Sequence, residues 1–186
     1  VRRTVLLAAA LAVPAACSGS GSGVTVYGSG SASIRVISAG HRRAGPVLTG
    51  TTLTGTTLST KAWVGKPVVI NLWGSWCPPC RAEAAQVSAA ARKLAGDGVH
   101  FVGLDIREAG GTAAALAYVA TYGVPFPSLS DPDGSLQLAF SDVTSVSSPP
   151  ATVVLDARHR VAAVVDGPIG GAQTLIDLVD QVTGAA

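Results

Sequence analysis

The chain has 186 residues, nearly half of them apolar, with 13 Lys and Arg against 11 Asp and Glu for a formal net charge of +2. That length suffices for one domain with a real core, and the near-balance of charge provides neither a nucleic-acid surface nor a polybasic membrane patch. The three cysteines, Cys17, Cys77 and Cys80, allow one pair and one odd thiol.

In chain order, Arg2 and Arg3, the apolar run Val5 to Val13 and the small residues after it predict an export leader over 1–16. The run is too short for a finished membrane span. Ala15-Ala16-Cys17 followed by SGSGSG resembles a bacterial lipoprotein signal, in which the cysteine carries lipid and becomes the mature N-terminus, although Pro14 stands where leucine is usual. Simple cleavage and secretion is the alternative. Residues 17–45, rich in Gly and Ser, read as a flexible tether, with Arg35, Arg42 and Arg43 as solubilising charges. From residue 46 to the end there are eight Lys and Arg against eleven Asp and Glu, a net charge of −3.

The near-repeat LTGTT at 48–52 and 53–57 predicts a β-hairpin, since threonine favours strands and glycine turns. The apolar run PVVINLW at 67–73 predicts a strand buried on both faces. A helix follows from about Pro79 to Ala95, then a second buried strand over Val99 to Asp105, which makes a right-handed parallel strand–helix–strand unit. Gly110-Gly111-Thr112 supplies a turn and an N-cap for a helix that stops at Gly123. A short extended piece, VPFPSL at 124–129, leads into the turn Asp131 to Gly134 and a short helix over Ser135 to Phe140. The strands Ala151 to Leu155 and Val161 to Val165 form a hairpin, and a last helix runs over about Ala172 to Val182. The expected fold is α/β: one domain over 46–186, a central mixed sheet with helices on both faces.

WGSWCPPCRAE at 73–83 is the stretch that carries chemistry. A bridge between Cys77 and Cys80 closes too small a loop to constrain the unfolded chain, so the pair makes a poor staple, leaving metal or redox chemistry. Structural zinc wants four ligands, and His41, His100 and His159 have no ligand spacing. Cys77 falls between a buried strand and a helix N-terminus, where the helix dipole and free N–H groups favour a thiolate. Cys80 lies one turn further in, within reach of a mixed disulfide, and Pro78-Pro79 suit a first helical turn. Trp73 and Trp76 read as core and shelf residues, with shielding of the thiolate from water as a second role open to Trp76.

These residues, with YGVPFPSLSDPDG at 122–134 and PATVVLDARHRV at 150–161, resemble the thioredoxin superfamily and, within it, the TlpA/ResA/DsbE-like extracytoplasmic thiol:disulfide oxidoreductases. The resemblance covers about 46–186, in family order and spacing. It implies a thioredoxin-like fold with an N-terminal hairpin, an inserted central helix at 112–122 and no dissociable cofactor. Cys77 would attack and Cys80 resolve. Glu83 stands where this family often has a glutamate near the active site, and a carboxylate there can shuttle protons, the alternative being a solvated helix glutamate. Asn71 stands where cytoplasmic thioredoxins carry a buried aspartate. Pro150 aligns with the family's cis-proline, although the cis bond could instead precede Pro149. Pro149 departs from the pattern: with no N–H, it cannot make one of the backbone hydrogen bonds that usually hold a partner peptide beside Trp76 and Pro150.

The implied partners are exported proteins with thiols or disulfides, a membrane electron donor or acceptor, and the membrane itself through lipid on Cys17. Reduction of apocytochrome c cysteines to thiols, oxidation of newly secreted proteins and a non-enzymatic partner-binding role are the functions the sequence leaves in competition. A peroxidase of the peroxiredoxin type is not among them, because Ile70 and Gly74 occupy the positions where it needs Pro and Thr.

Overall fold

The computed structural model describes residues 23–29, 32–141, 146 and 148–184. The expected leader and Cys17 lie outside the described residues. Among those described, no helix is long and apolar enough to cross a membrane.

Among the described residues the strands are β1 (Val24–Ser29), β2 (Ala32–Ile37), β3 (Thr49–Thr51), β4 (Thr57–Ser59), β5 (Val68–Trp73), β6 (His100–Ile106), β7 (Ser128–Asp131), β8 (Ala151–Leu155) and β9 (Val161–Asp166). The helices are α1 (Pro78–Ala95), α2 (Gly111–Tyr122), α3 (Ser135–Leu138) and α4 (Ala172–Thr183). Seven strands form one sheet in the order β1-β2-β9-β8-β5-β6-β7, and β3 pairs only with β4 in the expected hairpin. β5, β6 and β7 run parallel, while β8 runs antiparallel to β5 and β9 to β8. The sheet is therefore mixed.

Each residue of β5 is buried because both its faces are covered. Val69 packs with Val87, Leu94 and Val179 under α1 and α4. The alternate residues Val68, Ile70 and Leu72 pack on the opposite face with Leu48, Leu58 and Phe140. Around the near end of α1 a smaller cluster joins Leu53, Trp73, Cys77, Cys80 and Tyr118. Tyr118 comes from α2, which stops at Gly123 in the left-handed conformation (φ 56°) that glycine adopts cheaply. The N-cap of α2 is Gly110, with no side-chain bond, rather than Thr112.

The expected tether over 17–45 needs correcting, because the described part of it from Val24 onward is folded onto the domain. β2 pairs with β9, from Ser33 opposite Asp166 to Val36 opposite Ala163, and buries Ala32 and Ile34. The two arginines with resolved partners are ion-paired: Arg35 to Asp166 at 2.8 Å and Arg42 to Asp156 at 3.2 Å. Beyond a 3₁₀ turn at Ala39–His41, Val161 N–H donates to the Arg43 carbonyl and Gly45 N–H to the His159 carbonyl. The sheet extends here because Ala32, Ile34 and Val36 alternate with polar residues and so present one apolar face at the open edge of β9.

Candidate active site

β5 delivers the chain to the sheet's end at Trp73, and Gly74 to Trp76 form a short loop into α1. At Gly74 the approach is close: a Cβ there would stand 2.5 Å from Trp76 Nε1, so a larger residue would displace the exposed Trp76 ring. Cys77 caps α1, its N–H donating to the Gly74 carbonyl at 3.1 Å and its Sγ accepting from Cys80 N–H at 3.2 Å. Pro78 and Pro79 occupy the first turn, where an N–H is not needed. Cys77 and Cys80 are joined in a disulfide with their Cα atoms 5.3 Å apart. Cys77 is 2 % exposed and Cys80 fully covered, whereas Trp76 beside them is 45 % exposed. Trp76 therefore forms the accessible shelf of the site, its Nε1–H donating to the Ile106 carbonyl at 3.2 Å.

Glu83 lies three residues past Cys80, on the same side of α1, and is buried. Its Oε1 accepts from Asn71 Nδ2 at 3.1 Å and its Oε2 from Ile169 N–H at 2.7 Å. Burial outweighs both hydrogen bonds and pushes the carboxyl up to about 7. Asn71 also donates to Thr152 Oγ1 at 3.3 Å, so the neighbourhood of the absent β5 aspartate is polar and is occupied by a carboxyl reaching in from α1.

The Pro149–Pro150 peptide is cis. Ala151 pairs with Leu72 across β8 and β5, which places Pro150 level with Trp73 and beside the Cys77 loop. Pro150 is buried and Pro149 half-buried. Cys77, Cys80, Glu83, Trp76 and the two prolines thus gather at one end of the sheet, where the parallel strands point their carboxyl ends. His41, His100 and His159 do not join them, and no cluster of metal-binding side chains occurs among the described residues.

Three further residues frame the site without having been singled out by sequence reasoning. Tyr118 Oη donates to the Cys80 carbonyl at 2.9 Å while its ring stacks on Trp73 with centroids 4.2 Å apart. Glu108 accepts from Ser75 N–H, and Asp105 lies buried at the end of β6. Three charged residues within four, Asp105, Arg107 and Glu108, at the carboxyl end of a parallel strand were the available signal for the last two.

The profile of the Redoxin family matches residues 33–174, and the chain belongs to that family. It is 35% identical over 107 residues to the thiol:disulfide interchange protein DsbE of Pseudomonas aeruginosa, covering 55% of this chain and 54% of that one. Over 103 residues it is 31% identical to the thiol-disulfide oxidoreductase ResA of Bacillus subtilis, again 55% of this chain and 54% of the relative. The chain thus spans about half the length of the curated relatives it matches. Among solved structures it resembles a DsbF homologue from Corynebacterium diphtheriae, with a TM-score of 0.70 and 32% identity, covering 80% of this chain and 92% of that one. A secreted thiol-disulfide isomerase from Corynebacterium glutamicum gives 0.71 and 28%, covering 79% and 92%. The fold is thioredoxin-like.

Proposed function

We propose that the protein is an extracytoplasmic thiol:disulfide oxidoreductase that exchanges the Cys77–Cys80 disulfide with exported proteins. The observation that carries this reading is the bridge itself, set at a helix N-terminus with a buried carboxyl of near-neutral pKa one turn further along. Similarity to thiol:disulfide interchange proteins supports the reaction class.

In the reducing direction the Cys77 thiolate, favoured by the dipole of α1, attacks a partner disulfide. One partner sulfur bonds to Cys77 and the other leaves as a thiolate. Cys80 then passes its proton to the Glu83 carboxylate and attacks the Cys77 sulfur, which releases the second partner thiolate and leaves the bridged state seen here. A carboxyl titrating at about 7 gives and takes that proton at neutral pH. Trp76, Pro149 and Pro150 form the surface on which the partner lies.

The reading extends to a lipid anchor on Cys17, supported by the apolar run and small residues before it, and to a membrane electron donor that resets the dithiol. The proposed substrates are disulfides of apocytochrome c, whose haem-binding cysteines are released as thiols. Cys77→Ser should abolish insulin reduction while leaving the protein folded; retained activity would overturn the assignment. A redox titration fixes the direction: a potential near about −270 mV makes the protein a reductant, one near about −120 mV a disulfide-forming oxidant.

A further inference from the structure

Past the end of β6 the backbone enters a conformation that side-chain-bearing residues rarely adopt: Arg107 has φ 51°. It is held there by its N–H donating to the Asp131 carbonyl at 3.0 Å and its guanidinium to Gln137 Oε1 at 3.0 Å. The turn brings the half-buried Glu108 back against the loop before Cys77. Its Oε2 accepts from Ser75 N–H at 2.9 Å and its Oε1 from Gly110 N–H at 2.9 Å. The Ser75 carbonyl, on the other side of the same residue, accepts from Arg81 at 2.7 Å. Beneath Glu108 lies Asp105, 1 % exposed, with Oδ1 left without a hydrogen-bond partner.

We propose that Glu108 is a positioning residue for disulfide exchange: backed by Asp105, its carboxylate clasps Ser75 and fixes where the Cys77 sulfur and the Trp76 ring meet an incoming partner thiol. The inference rests on the oxidoreductase reading and adds to it a residue outside the Cys-Pro-Pro-Cys helix.

The clasp is sensitive to charge. Burial, with the charges of Glu108 from the same turn and Asp131 from β7, pushes Asp105 up to about 7. β5, α2 and α3 bring no charged residue near it, while the guanidiniums of Arg107 and Arg81 are engaged with Gln137 and Ser75. Below that pH Asp105 donates its proton toward Glu108. Above it, three carboxylates confront one another and the hold on Ser75 loosens.

The test uses the full chain. Glu108→Ala should speed hydrogen exchange at the Ser75 amide and slow insulin disulfide exchange about tenfold, the scale of one hydrogen bond to a charged group, with Glu108→Gln recovering part of the rate. In a Glu83→Gln, Cys80→Ser background, which stops at the Cys77 mixed disulfide and needs no proton transfer to Glu83, the rate of that first attack per Cys77 thiolate should step down as pH rises through about 7, and adding Asp105→Asn should remove the step. Ser75 protection unchanged in Glu108→Ala, a rate within about twofold of the parent, or a step that survives Asp105→Asn overturns the proposal. If the parent shows no exchange, the oxidoreductase reading fails by itself and Ser75 protection still decides the clasp. If Glu108→Ala does not fold, the same readouts on Glu108→Gln decide it.

Discussion

Asn71 on β5 and Glu83 on α1 meet at 3.1 Å, amide to carboxylate, across the buried seam between sheet and helix. One neutral donor thus satisfies an oxygen that would otherwise be orphaned, and it does so without adding charge. Asn71→Asp would set a second carboxyl against the first. Two carboxylates at that separation cannot both ionise cheaply in a buried site, so the variant should lose about 2–4 kcal/mol at pH 8 and much less at pH 5. Urea unfolding of the oxidised protein at the two pH values measures this.

Glu83 makes stability depend on pH in the sense opposite to an ordinary paired carboxylate. An exposed carboxyl of this type loses its proton near 4.5, whereas the folded one keeps it to about 7. Through that window the folded state binds more protons than the unfolded, so stability falls as pH rises from 4.5 to 7 and levels above it. The shift corresponds to about 3 kcal/mol. Asp105 contributes a slope of the same sign, so Glu83→Gln should remove about half of the decline. Melting temperatures of oxidised wild type and variant across pH 4 to 9 provide the comparison.

Pro149 leaves the partner surface short of one donor. Pro149→Thr restores an N–H beside Pro150, and a single backbone hydrogen bond should tighten a partner peptide by about five- to tenfold. Equilibrium exchange between the Cys77 thiol of the Cys80→Ser protein and a cysteine peptide capped as its glutathione disulfide, with glutathione leaving as the mixed disulfide forms, reads the difference. Unchanged affinity would remove Pro149 from the recognition surface.

Asp156 ties the N-terminal segment to the body. Its side chain accepts from Arg42 at 3.2 Å, from Arg160 Nη2 at 2.7 Å and from the Arg158 and Arg160 N–H groups at 3.0 Å. Burial alone would raise its pKa, but the hydrogen bonds from Arg160 and Arg42 hold it below the usual carboxylate range. This lowered group contributes stability above an ordinary aspartate's pKa and loses it as pH falls through its own. Asp156→Ala should cost about 2–3 kcal/mol at neutral pH, flatten part of the acid limb of the stability curve, and speed hydrogen exchange across β2. Amide exchange by mass spectrometry resolves that last effect.

What could be read from the sequence follows the strength of local pattern. β5 and β6 are apolar runs bounded by glycines, and Cys77-Pro-Pro-Cys80 between them locates the helix N-terminus, so the core of the fold and the reactive pair are legible together. β2 is not, because its three inward residues are diluted among Gly and Ser, and what orders it is an edge supplied by β9 some 130 residues later. Glu83 could be named from its position on the helix, but its partner Ile169 N–H comes from beyond β9. Tyr118 and Glu108 escaped notice for the same reason: each acts through a hydrogen bond to a residue more than thirty positions away.

The strand at Val24 also sets a length. Seven residue steps separate it from Cys17, and an extended chain advances at most about 3.6 Å per step, giving a leash no longer than about 25 Å. With lipid on Cys17, Val24 could stand no further than that from the headgroups, and the domain would work within a bounded layer above the bilayer. A partner would then have to bring its sulfur within that reach plus the breadth of the domain, a geometric filter that operates before any recognition at Trp76.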